Sequence, residues 1–139
     1  MAAVPFARRI PKKFTKTITF TGAAGLGAQG TVAVGTVTGS ILIEHMAIRC
    51  NTNLAGASAT VELGTAANTA ALVAQTTGTD IDDGEFWKDS SPEAGVSDAI
   101  TNKVVEGDII ITVGTADVTA GVLEIVAYWK PLSEDGNLA

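Results

Sequence analysis

Two side chains in this chain have the chemistry of a nucleophile or a general base, Cys50 and His45, and each residue type occurs once. Nucleophilic catalysis needs a histidine beside the nucleophile and an acid that orients it. Here both residues lie in the apolar run 41–50, and no G-x-S-x-G nucleophile elbow occurs. One cysteine and one histidine also provide too few ligands for a zinc site. We therefore predict that Cys50 is a small buried apolar residue and that His45 is a structural or interface residue.

A glycine motif, G-L-G-A-Q-G at residues 25–30, matches the dinucleotide pattern G-x-G-x-x-G. That chemistry requires a helix directly after the glycines, because the N–H groups of the helix N-terminus bind the pyrophosphate. The residues that follow, T-V-A-V-G at 31–35, predict a strand instead. The motif therefore indicates a glycine loop between two strands, and no cofactor is expected.

The acidic residues offer two further kinds of site. Residues 80–85 read D-I-D-D-G-E, but an EF-hand loop has its glycine at the sixth position and helices on both sides. A solvated acidic turn is favoured, and a calcium loop of another geometry stays open. A glycosidase needs two convergent carboxylates in an aromatic cleft, whereas aromatic residues make up only 5% of this chain. We predict no enzyme, no metal and no small-molecule substrate.

Charge is unevenly distributed along the chain. Residues 1–16 hold five of the nine basic residues and no acid, so the remainder, with all 15 acids, carries a net charge of −11. Two prolines favour an extended arm over residues 1–13. The acidic body disfavours a nucleic-acid partner, so docking on an acidic protein surface is preferred, with a solvated tail as the alternative. The predicted partner-binding residues are Arg8, Arg9, Lys12, Lys13 and Lys16.

The elements that would position these residues are strands. Gly, Thr and Val recur through the 139 residues, which is one domain by size. Seven to nine segments either alternate apolar and polar residues or form a β-branched apolar run between turn signals, and each is predicted to be a strand. That number of strands is typical of a β-sandwich, jelly roll or barrel. For residues 68–75 both a strand and a helical turn stay open. The clearest predicted strands are residues 14–20, 31–37, 41–50, 60–64, 109–113 and 122–130.

Both ends of the chain and its hydropathy complete the expected organisation. We predict an arm over 1–13, a β-sandwich or jelly-roll domain over 14–132 and a polar, acidic C-terminal tail over 133–139 that lies on the surface. Residues 122–130 are partly apolar on both faces, so we expect that strand to be covered on both sides. No apolar run approaches the roughly 18 residues that a membrane span needs, and no secretory signal is expected.

Three stretches, residues 61–74, 106–121 and 122–132, resemble small bacteriophage virion proteins encoded among head genes, including capsid decoration (cement) proteins. The resemblance implies a non-enzymatic protein that binds the major capsid protein on the outside of the shell and resists internal pressure. It also implies a homo-oligomer, often a trimer, located on the virion exterior after synthesis in the host cytoplasm. The class has no catalytic residues to transfer.

A head-fibre base or a tail-associated domain that binds glycans on the host surface would have a similar sequence. Glycan binding predicts an exposed aromatic platform, for which Trp87, beside the acidic turn, is the candidate. Location on the head, tail or fibre and the symmetry of the oligomer stay open at this stage.

Overall fold

The computed structural model describes residues 10–139, which form twelve β-strands and one short 3-10 turn, Gly78–Asp80. The predicted all-β class is confirmed. The strands are β1 (Lys12–Thr19), β2 (Gly30–Gly35), β3 (Val37–Thr38), β4 (Ser40–Ala55), β5 (Thr60–Gly64), β6 (Val73–Thr77), β7 (Glu85–Phe86), β8 (Glu93–Ala94), β9 (Ile100–Glu106), β10 (Ile109–Gly114), β11 (Ala120–Pro131) and β12 (Asn137–Leu138). Within the described residues no helix is long and apolar enough to span a bilayer.

Two antiparallel sheets form a β-sandwich. In the six-stranded sheet β11 lies between β1 and β4, and the other edge of β4 pairs with β9 along its first half and with β7 further on. β8 extends that edge by pairing with β7. The second sheet has the order β2-β10-β5-β6, and β12 pairs with β3 in a small separate sheet.

The core lies between the two sheets and follows the period of two that strands impose on side chains. On β11, Leu123, Ile125 and Ala127 are fully buried, whereas the intervening Glu124 is exposed. β10 contributes its buried face in the same way, including Ile111. These alternating residues explain why the long strands were predictable from sequence.

Most observed bounds lie within two residues of those predicted, and the differences that matter are in β1 and β4. β1 begins at Lys12, so Lys12 and Lys13, which the sequence interpretation assigned to the arm, pair with Trp129 and Tyr128. β4 continues to Ala55 through the turn predicted at residues 51–53. Its last residues stay in the sheet because β11 pairs with them across two register shifts.

β9 was not predicted, and its sequence explains why. Only Ile100 and Val105 are buried, and Asn102 adopts a positive φ of 55° that interrupts the alternation. Residues 68–72 form turns, and a strand starts only at Val73. The C-terminal segment ends in β12, whose Leu138 is buried.

The prediction that β11 is covered on both faces is wrong. On the outer face of the six-stranded sheet Glu124 is exposed and Tyr128 is 41% exposed. The outward-facing side chains of β11, about half of which are apolar, therefore form part of the protein surface.

Candidate protein-interaction surface

Cys50 and His45 lie on the same strand, β4, but on different sides of the sheet. Cys50 is fully buried, and its thiol donates a hydrogen bond to the carbonyl oxygen of Thr52, with Sγ and O 3.0 Å apart. Burial raises the pKa of the Cys50 thiol, so the reactive thiolate is disfavoured. His45 is exposed on the outer face, opposite Tyr128 and Thr101. The prediction of a buried, apolar Cys50 is confirmed, and the structure does not bring it together with His45.

The glycine motif forms a loop that leads into β2, as predicted. Gly27 has φ +120°, and a Cβ there would lie 2.1 Å from the carbonyl oxygen of Val118. The same glycine accepts a hydrogen bond of 2.7 Å from the Val118 amide. Glycine is needed here for a positive φ and for close approach of two loops. A strand follows, so the helix N-terminus that would bind a pyrophosphate is absent after this loop.

The acidic turn at residues 80–85 is closed by Glu85 within it and by Asn53 on β4. The carboxylate of Glu85 accepts a 2.7 Å hydrogen bond from the Asp82 amide, and the Asn53 side chain accepts one of 2.6 Å from the Asp83 amide. Within residues 10–139, no cluster of three or more His, Cys, Asp or Glu side chains could hold a metal ion. The polar side chains at this turn therefore have a structural role, which is to accept hydrogen bonds from its backbone amides.

Trp87, proposed above as an exposed aromatic platform, is 1% exposed. Its indole N–H donates a buried 2.7 Å hydrogen bond to the Thr76 hydroxyl on the other sheet. A buried tryptophan needs such a partner for its N–H. The prediction of a glycan platform at Trp87 is therefore wrong, because the ring packs into the sandwich and its polar atom is satisfied there.

The predicted basic site divides into two parts. Arg8 and Arg9 lie outside the described residues. Lys12, Lys13 and Lys16 are exposed on β1, which forms one edge of the six-stranded sheet. The ammonium group of Lys12 lies 5.3 Å from the centroid of the Trp129 ring, within the range of a cation–π contact. The three lysines are thus held on a regular strand, and we call this strand the basic edge.

A group of apolar side chains on the outer face of the six-stranded sheet was missed by sequence reasoning. Val104 is 66% exposed and lies opposite the half-buried Leu42, and Tyr128 lies on the same face. A 2.8 Å ion pair between Lys130 and Glu44 lies among them. We call Leu42, Val104, Val126 and Tyr128 the outer patch. In the sequence, this patch was indicated only by the apolar residues among the outward-facing positions of β11, because the strand that carries Val104 was not predicted.

A cleft of about 250 Å³ opens where β4 passes from β9 to β7. Met46, Ile48 and Phe86 line it, and Val96, which is 86% exposed, lies at its rim. The cleft is smaller than most cofactor sites, for which about 300 Å³ is a lower bound. Its size and apolar lining suit a single side chain.

Comparison with known proteins gives a likeness in fold alone. No protein-family model matches this chain, and no curated protein does. Among solved structures, the chain is similar to a chain in the cyanophage Pam1 capsid asymmetric unit, with a TM-score of 0.53 and 13% sequence identity. The alignment covers 94% of this chain and 92% of that chain. The likeness therefore spans nearly the whole of both chains, which are of nearly equal length.

Proposed function

We propose that this chain is a non-enzymatic structural protein of a bacteriophage particle, which decorates and stabilises the capsid shell by binding the major capsid protein. The observation that carries the proposal is the similarity in fold, along nearly the whole of both chains, to a chain of a phage capsid. A likeness over one supersecondary unit would have much less weight, because such units recur in many unrelated folds.

The surface supports a role in binding protein. The outer patch exposes apolar and aromatic side chains beside polar ones, as protein-interaction sites commonly do. The basic edge adds positive charge to a body whose remaining residues are strongly acidic. Many copies on a shell would each make contacts of this kind, and a homo-oligomer would gain avidity from attaching at several points.

Binding of the purified full-length chain to empty shells of the phage that encodes it tests this proposal. The shells are assembled from the major capsid protein alone and sedimented with increasing amounts of the chain. We expect saturation at a fixed ratio to the shell subunit, and light scattering on the free chain gives the size of the unit that binds. Shells that already carry the chain are the control and should take up no more.

Absence of saturable binding to the empty shells, by a chain that is folded by circular dichroism, would overturn the proposal. The protein would then belong to another part of the particle or to another process.

A further inference from the structure

β1 is an edge strand with an unusually regular free side. It pairs with β11 over all eight of its residues without a register shift, and among residues 10–139 no strand of the six-stranded sheet lies on its other side. β9, a free edge of similar length, is interrupted by the positive φ of Asn102. Bulges and irregularities of that kind protect edges from pairing with other chains, and β1 lacks them.

The direction of the backbone groups on β1 follows from its pairing. The Phe20 amide donates to the carbonyl oxygen of Gly121 at 2.9 Å, which extends the same register by one pair. In an antiparallel ladder, residues alternate between bonding to the partner strand and pointing away from it. Even-numbered residues of β1 therefore bond to β11, and no described residue pairs with the backbone of the odd-numbered ones. These outward residues are Lys13, Thr15, Thr17 and Thr19.

The charge of β1 restricts which strand can pair with it. Lys12, Lys13 and Lys16 lie on β1, the strand has no acid, and the acid that faces it from β11 is Glu124, opposite Thr17. Two copies of β1 side by side would bring six like charges together. Lysine on an edge strand disfavours such self-pairing, whereas opposite charges on facing strands favour pairing.

We propose that the free side of β1 accepts an extended, acidic segment of the shell subunit as an added strand. The inference rests on the proposed function and names the site through which attachment occurs. Backbone groups of the four outward residues would provide the affinity, and the three lysines would select for acid in the added segment.

Substitution at Thr17 separates strand addition from other modes of docking. The Thr17 N–H points away from β11, so Thr17→Pro removes an outward donor and places a ring on the free side while the ladder with β11 stays intact. Thr17→Val keeps the N–H and serves as the matched control. For shell binding we expect a loss of about tenfold or more with Thr17→Pro, as for a lost hydrogen bond with added steric conflict, and a change within about twofold for Thr17→Val.

Amide exchange on the unmodified chain gives a second test that does not depend on the folding of a proline variant. In the free chain the amides of Lys13, Thr15 and Thr17 should exchange fast, and those of Phe14 and Lys16 slowly. On saturated shells the outward amides should also become slow. Saturable binding with unchanged exchange at the outward amides would overturn strand addition and leave the proposed function intact. Failure of the unmodified chain to bind shells at all would overturn both.

Replacing Lys13 and Lys16 by Glu tests the charge of the partner segment. We expect this double variant to bind the shells at least about tenfold more weakly, since like charges would then face each other across the added strand. The affinity of the neutral variant with Gln at both positions should lie between those of the unmodified chain and the Glu variant. Equal binding by all three chains would overturn the proposal that the added segment is acidic.

Discussion

Trp87 and Thr76 show what a single contact contributes to this sandwich. Their 2.7 Å hydrogen bond lies inside the core and joins the segment after β7 to β6 on the other sheet. The sequence placed Trp87 next to an acidic turn and gave no sign of its direction. That direction is set by pairing of β7 with Arg49 on β4, a contact between residues 37 positions apart.

A double-mutant cycle measures this contact. Trp87→Phe and Thr76→Val should each lower the free energy of unfolding by about 1–3 kcal/mol. Thr76→Val leaves the buried indole N–H without its acceptor, and Trp87→Phe removes that hydrogen bond together with part of a buried ring. The double variant should cost less than the sum of the two by at least about 0.5 kcal/mol, because the indole N–H that Thr76→Val leaves unpaired is then absent. Urea unfolding gives these values. Strict additivity would show that the hydrogen bond is not formed in solution.

The buried Cys50 thiol predicts a dependence of stability on pH. Burial raises its pKa in the folded chain above the ordinary value of 9.0, so above that pH the unfolded chain loses its thiol proton first. The folded chain then binds more protons, and stability falls as pH rises from 9 until the thiol ionises in the folded chain as well. Comparing the free energy of unfolding at pH 8 and pH 10 for the unmodified chain and Cys50→Ala isolates the contribution of the thiol. The same pH slope in both would contradict it.

At the scale of elements, the strands whose one face enters the core could be predicted from their alternation. β2, β10 and β11 are of this kind. β9 and β12 could not, because each has only one or two buried side chains and its position depends on pairing with distant residues. Lys12, Lys13 and Lys16 lie together on β1, but the first residue of β1 is set by pairing with β11, and this contact is not encoded locally.

That boundary has a consequence for truncation of the chain. Removing residues 2–13 should lower the free energy of unfolding by about 1–3 kcal/mol more than removing residues 2–9. The longer deletion takes away ladder hydrogen bonds and the contact of Lys12 with Trp129. Urea unfolding of both truncated chains measures the difference. Equal stability would show that β1 contributes only from Phe14 onward.

At the scale of the whole molecule, composition and periodicity were sufficient to predict an all-β domain, and they could not indicate what it binds. The outer patch depends on side chains from three strands that meet only in the folded sheet. The basic edge depends on a free side of β1 that becomes visible only from the strand order. Partner identity is a property of the assembly, so it is established by experiment on the particle.

Quantitative mass spectrometry of purified phage particles, with tail-free heads and tails separated, tests the central proposal most directly. We expect the chain in the head fraction, at a fixed copy number relative to the major capsid protein that is the same in every preparation. Its release from heads should not release the shell subunit. Presence in the tail fraction alone, or absence from the particle, would contradict a role in decorating the shell.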